Sequence, residues 1–145
     1  MITIAIGSDH GGFEYKQKLI HHLASLGYLI NDFGTYLQES THYPIYGEAV
    51  AKSVASGNSN FGIVICTSGE GIAMAANKVD GVRCGIAYND EVAKLMRQHN
   101  DANVIAFGQK FMSYDDVERR VHIFLETEFE GGRHQNRVDM LNKIK

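Results

Sequence analysis

No run of about 18 apolar residues occurs anywhere in the 145-residue chain, so it has no candidate transmembrane helix. An excess of one charge is also missing. Fourteen Lys and Arg stand against 17 Asp and Glu, a net charge of −3. That balance argues against a protein that lives on nucleic-acid phosphate contacts. Cysteine is scarce: Cys66 and Cys84 form neither a disulfide framework nor a C-x-x-C pair. The apolar start Met1–Ile6 has no basic stretch and no cleavage site, so it does not read as a signal peptide. A reducing cytoplasm is the expected home, with neither a membrane nor a nucleic acid as partner. Tryptophan is absent, Pro44 is the only proline, and no repeat or low-complexity tract is present.

Familiar motifs are missing too. Gly7 and Gly11-Gly12 do not satisfy G-x-G-x-x-G, and the loop Thr67–Gly71 lacks the Gly-Lys-Ser/Thr of a Walker A loop. Asp32, near a strand end, is the only feature that favours a dinucleotide-binding reading. The seven histidines (His10, His21, His22, His42, His99, His122 and His134) show no H-E-x-x-H spacing, so no metal is expected. His21-His22 reads as a surface pair on an amphipathic helix.

What is present fits one globular domain spanning residues 1–145, with 44% apolar and 21% charged residues. Apolar runs over Thr3–Gly7, Tyr28–Phe33, Phe61–Cys66, Val82–Ala87 and Asn103–Phe107 predict five strands. Helical spacing predicts helices between and after them. The first carries Leu19, Ile20, Leu23 and Leu26 and stops at Gly27. The second opens at Pro44 and runs to Gly57. The third ends near Lys78. The fourth is capped by Asn89 or Asp90, with Val92, Leu95, Met96 and His99 on its inward face. The fifth spans Tyr114 to about Glu126, and the last spans Arg133–Lys143. Strands alternating with helices mean βαβ units, hence an α/β fold with a five-stranded parallel sheet and helices on both faces. The last helix has no strand to cover, so it is expected to pack on a neighbouring subunit.

The chemistry concentrates at Cys66-Thr67-Ser68-Gly69-Glu70-Gly71. A parallel strand delivers a thiol to its tip just before a helix N-terminus, where open α/β sheets place ligands. Unpaired N–H groups there hold an anion and favour a thiolate. Gly69 and Gly71 permit close backbone approach. Thr67 and Ser68 supply hydroxyls or cap the helix, and Glu70 suits the dipole as a first-turn acid. Asp9 and His10, at the first strand tip, can bind hydroxyls and move protons, or simply form a capped turn. His99-Asn100-Asp101 is either a helix C-terminal cap or a second set of functional groups. Arg133 and Arg137 share a helix face and suit a phosphate, and Lys110 can add a point charge. Cys84 is expected in the core.

Taken together, these residues resemble the ribose-5-phosphate isomerase B family, which includes galactose-6-phosphate and allose-6-phosphate isomerases. The resemblance covers essentially the whole chain. It is carried by Gly7-Ser8-Asp9-His10-Gly11-Gly12, Asp32-Phe33-Gly34-Thr35, Tyr43-Pro44, Cys66–Ile72, Ala75-Ala76-Asn77-Lys78, Arg97–Val104 and Glu130–Val138. It implies a three-layer Rossmann-like fold and a metal-independent aldose–ketose isomerase without cofactor, acting on a small sugar phosphate. Its sites lie between the subunits of a homodimer or a dimer of dimers. By position, Cys66 resembles the carbon base, with Ser68 assisting and the Thr67–Gly71 loop stabilising an enediolate. His99 resembles the ring-opening acid. Asp9 and His10 would hold the substrate, Asn100 would contact the intermediate, and Arg133, Arg137 and Lys110 would hold the phosphate.

The chain departs from the common family pattern at several places. Thr67 stands where glycine is usual, Ser68 where threonine is frequent, and Lys110 where arginine is frequent. Some relatives use a later glutamate at about the place of Ile72, so Cys66 has no deputy. Thr41-His42-Tyr43-Pro44 is similar to galactose-6-phosphate isomerases, whereas the arginine segment is similar to the ribose enzymes. A pentose 5-phosphate is the leading expectation and a hexose 6-phosphate the second. A non-catalytic phosphosugar- or nucleotide-binding module is a third. A redox role is weaker, because Cys66 has no resolving cysteine nearby.

Overall fold

The computed structural model describes residues 1–145. In chain order the elements are β1 (Thr3–Ser8), a 3-10 turn at His10–Gly12, α1 (Phe13–Ser25), β2 (Leu29–Asp32), α2 (Tyr43–Ala55), β3 (Phe61–Cys66), α3 (Glu70–Asn77), β4 (Cys84–Ile86), α4 (Asp90–Gln98), β5 (Val104–Gly108), α5 (Tyr114–Glu126) and α6 (Arg133–Lys143). The five strands form one parallel sheet in the order β2-β1-β3-β5-β4. The α/β expectation therefore holds. β2 and β4, the edge strands, are shorter than their apolar runs suggest.

Strand alternation divides the core into two layers. Ile4, Ile6, Ile63, Ile65, Ile105 and Phe107 face α1, α4 and α5, where they meet Leu19, Leu23, Met96, Val121 and Phe124. Ala5, Val64, Cys66, Val104 and Ala106 face α2 and α3, where they meet Val50, Val54, Ile72 and Ala76. Burying each large aliphatic side chain contributes about 1.5–3 kcal/mol, so these two layers dominate the stability. Leu26 departs from the expected stripe. It follows the last turn of α1 and is 54% exposed.

Polar contacts set the helix ends. Asn89 caps α4 by accepting the Val92 N–H at 2.8 Å. Asp90 is taken instead by Arg119 and Arg120 of α5. Asn77 shields the outer edge of β4: its side chain accepts the Cys84 N–H at 2.8 Å and donates to the Cys84 carbonyl at 2.9 Å. No helix is long and apolar enough to cross a membrane. α6 covers no strand. It buries His134 and Val138 but leaves Met140 and Leu141 exposed, as is Ile144 just beyond it.

Candidate active site

The chain runs from β1 outward to β2 and then crosses to β3 on the other side, so the direction of winding reverses between β1 and β3. Open α/β sheets carry ligands in the crevice at such a reversal. Here it sets the tip of β1 beside the tip of β3, with Ser8 registered against Ile65. Asp9 and Cys66 follow directly.

Cys66 is 5% exposed, and its Sγ accepts the Gly69 N–H at 3.2 Å. The thiol thus sits against the residue that opens α3, where the helix dipole favours negative charge. Gly69 has φ +86° and packs on the Phe107 backbone, so glycine is required there by conformation and by space. Gly71 serves a different purpose from the expected close approach to a ligand. A Cβ there would lie 2.6 Å from the Tyr43 ring, so its missing side chain makes room for the start of α2. Ser68 and Thr67 are exposed. Ser68 Oγ accepts the Glu70 N–H at 3.2 Å, which makes it a partial cap as well as a free hydroxyl. Glu70 is exposed on the first turn of α3.

Asp9 is buried and accepts the Gly11 N–H at 2.9 Å, capping the 3-10 turn. His10 is exposed, and its Nδ1 accepts the Thr41 N–H at 3.2 Å. The His10 proton therefore lies on Nε2. That contact ties the loop before α2 to the β1 tip. A Cβ on Gly11 would fall on Thr67 Oγ1, so the Thr67 hydroxyl occupies space that Gly11 leaves open.

His99 is not on the inward face of α4. It is the C-cap residue, and its side chain is 39% exposed. Its ring stacks on His134 of α6 with centroids 4.2 Å apart. One Glu130 oxygen lies 3.8 Å from His99 Nε2 and 3.6 Å from His134 Nε2. The ligand atoms of these three residues lie within 4.8 Å of one another, a cluster that linear spacing does not reveal. Desolvation, then the neighbouring His99 and Arg133, hold the His134 imidazole below its ordinary value. Spacing along the chain does not join His134 to His99. The only signal for His134 was its place between the two arginines.

Ser68, Glu70 and Asn100 line one open groove of about 1140 Å³, together with Tyr88 and Phe111. Arg133 and Arg137 are exposed at the start of α6 and form no ion pair within the chain. Lys110 is likewise without a carboxylate partner and lies 5.8 Å from the Phe111 ring centre. Within the one chain, then, the β1 and β3 tips come together, while the arginines make no bond to them. Cys84 is half-buried at the sheet edge rather than deep in the core, and desolvation pushes its thiol pKa up. Asp32 is engaged within its own chain, its Oδ1 accepting from Lys16 Nζ at 2.8 Å and from the Gly34 N–H at 2.9 Å.

Fold and site together define an α/β protein with Asp9, His10 and Cys66 side by side at the carboxyl edge of a parallel sheet. The Ribose/Galactose Isomerase family profile matches residues 4–141. Ribose-5-phosphate isomerase B of Escherichia coli K12 is 42% identical over 145 residues, covering 100% of this chain and 97% of that protein. The solved ribose-5-phosphate isomerase B of Clostridium thermocellum superposes with a TM-score of 0.97 at 44% identity, covering 98% of this chain and 96% of that one. That of Mycoplasma genitalium, solved with bound ribulose 5-phosphate, gives 0.94 at 35% identity, covering 98% and 95%. The chain belongs to the ribose/galactose isomerase family.

Proposed function

We propose that this protein is an aldose–ketose isomerase that interconverts ribose 5-phosphate and ribulose 5-phosphate through an enediolate. The observation that carries this reading is the Cys66 thiol, held against the Gly69 N–H at the opening of α3 in a chain of this family. A C–H beside a carbonyl is weakly acidic, so its removal needs a placed base and a site prepared for the resulting anion.

In this reading the Cys66 thiolate takes the proton from C2 of the open aldose. The C–H electron pair becomes the C1–C2 double bond, and the carbonyl oxygen becomes the enediolate oxygen. N–H groups of the Thr67–Gly71 loop stabilise that oxygen, with Ser68 assisting. Return of the proton to C1, with proton transfer between the oxygens, gives the ketose. His99 donates the proton that opens the furanose ring, and Asp9 and His10 hold its hydroxyls. Asn100 contacts the intermediate. Arg133 and Arg137 clamp the phosphate, with Lys110 assisting, so that binding energy far from the reacting carbons orients them.

The two arginines lack partners in their own chain, and Met140, Leu141 and Ile144 are exposed. Both facts support a dimer in which α6 packs on the second copy and the site lies between subunits. The test is Cys66→Ala, with exchange of substrate C2 hydrogen into solvent followed by NMR. Loss of exchange with a folded protein is expected. Near-wild-type turnover in this variant refutes the base assignment. Thr41-His42-Tyr43-Pro44 favours the second reading, a hexose 6-phosphate. Catalytic efficiency on ribose 5-phosphate, allose 6-phosphate and galactose 6-phosphate decides between them.

A further inference from the structure

The helices of a parallel α/β sheet run opposite to its strands. The later turns of α1 and α5 therefore lie towards the amino edge, at the other end of the sheet from Cys66. There His22 of α1 and His122 of α5 point their Nε2 atoms at each other, 2.8 Å apart. The rings stand edge to face, 5.1 Å between centroids. Each Nδ1 faces a carboxylate: Glu118 is 3.4 Å from His22, and Glu126 is 3.8 Å from His122. Glu118 is itself held, accepting from the Tyr114 hydroxyl at 3.0 Å. Glu118, His122 and Glu126 follow one another at i, i+4 along one stripe of α5. The two imidazoles are less than a third exposed, so the pair is sheltered yet open to solvent.

We propose that His22 and His122 form a binding site for a divalent transition-metal ion of the zinc, copper and nickel class. The chemistry of the donors points to it. Two imidazole Nε2 atoms lie 2.8 Å apart, each able to offer a lone pair, and imidazole suits these ions. Glu118, 3.4 Å from His22 Nδ1, is near enough to favour hydrogen on that Nδ1 and the lone pair on Nε2, the arrangement found behind metal-bound histidines, and Glu126 adds negative charge 3.8 Å from His122 Nδ1. Without metal, the contact requires one Nε2–H to donate to the other bare Nε2. The donor ring carries its one hydrogen on Nε2; as the metal binds, that hydrogen passes by way of solvent to the same ring's Nδ1, so both Nε2 lone pairs take the ion with no net proton release. A tetrahedral zinc with N at about 2.0–2.1 Å sets its ligand nitrogens roughly 3.4 Å apart, so the rings need separate by only about half an ångström. Water fills the remaining positions. The ion ties α1 to α5 across the core layer they share.

The experiment is a zinc chloride titration of tag-free, uniformly 15N-labelled protein, with every histidine ring followed by NMR. One equivalent is expected to move the Nε2 resonances of His22 and His122 together, ahead of those of His10, His99 and His134. Calorimetry is expected to show the affinity falling by more than about tenfold in His22→Gln and in His122→Gln, and by roughly tenfold in Glu118→Gln. All three substitutions lie at partly exposed helix positions and leave the apolar layers intact. The proposal is overturned if the first equivalent leaves both rings unmoved, or if a His22→Gln/His122→Gln double variant binds zinc as tightly as the wild type.

Discussion

Lys16 is the largest side chain with no exposure at all, and it carries a formal charge into the layer beneath the β1 and β2 tips. Its ammonium has one carboxylate partner, Asp32 at 2.8 Å, with Gln17 Oε1 at 3.0 Å. The rings of Phe13 and Tyr36 flank it at 5.6 and 5.7 Å. The two partners are not equivalent, because the Lys16 side chain is 0% exposed and that of Asp32 is 31% exposed. Asp32→Asn keeps an oxygen for Lys16 and for the Gly34 N–H but leaves the ammonium buried without a counter-charge. Breaking a buried pair from one side costs about 3–5 kcal/mol, and the retained oxygen puts this variant near the lower end, about 3 kcal/mol. Lys16→Met fills the same channel with apolar atoms. It leaves Asp32 partly solvated and still bonded to Gly34, which should cost only about 1–2 kcal/mol.

The double variant has no charge left to strand. It should therefore lie close to Lys16→Met, giving a coupling of about 3 kcal/mol between the sites. Urea denaturation at one fixed protomer concentration measures all four proteins, read from midpoints at constant slope. If Asp32→Asn proves the milder single variant, or if the two effects simply add, the claim that burial decides the energetics of this pair is wrong.

Two further outcomes follow from the geometry. Gly11→Ala puts a methyl group on Thr67 Oγ1, and overpacking of this kind costs about 1–3 kcal/mol. Adding Thr67→Gly is expected to restore most of both the stability and the kcat/KM lost in Gly11→Ala; a pair that shows no rescue would sever the link between these two strand-tip loops. Hydrogen bonds from Arg119 and then Arg120 hold the Asp90 carboxyl down to about 2 from an ordinary 3.8. A depressed carboxyl stabilises the fold above its unfolded value, and that stability is lost as pH falls through the folded one. Acid titrations followed by circular dichroism should thus show Asp90→Asn with a flatter loss of stability between pH 3.8 and about 2 than the wild type.

What was legible in the sequence was whatever repeats along it. The strands that pair on both sides are apolar on both faces, so β1, β3 and β5 stand out as continuous runs. The tips of two of them carry Asp9-His10 and Cys66–Gly71, and the sheet order brings these together without further information. Pairwise relations leave no such trace. Lys16 lies three residues before Leu19 and reads as a polar interruption until β2 brings Asp32 to it. Arg97 is charged yet buried, packing on the Phe61 and Phe124 rings and donating to the Ala102 carbonyl at 2.7 Å. His99 keeps the spacing of the inward face of α4, but the helix ends at Gln98, and the ring turns away to His134. Gly71 looks like room for a substrate and is room for Tyr43. In each case the side chain is polar or missing, and its partner comes from another element. A single buried lysine or a stacked imidazole is decided by that partner, so periodicity along one helix carries no record of it.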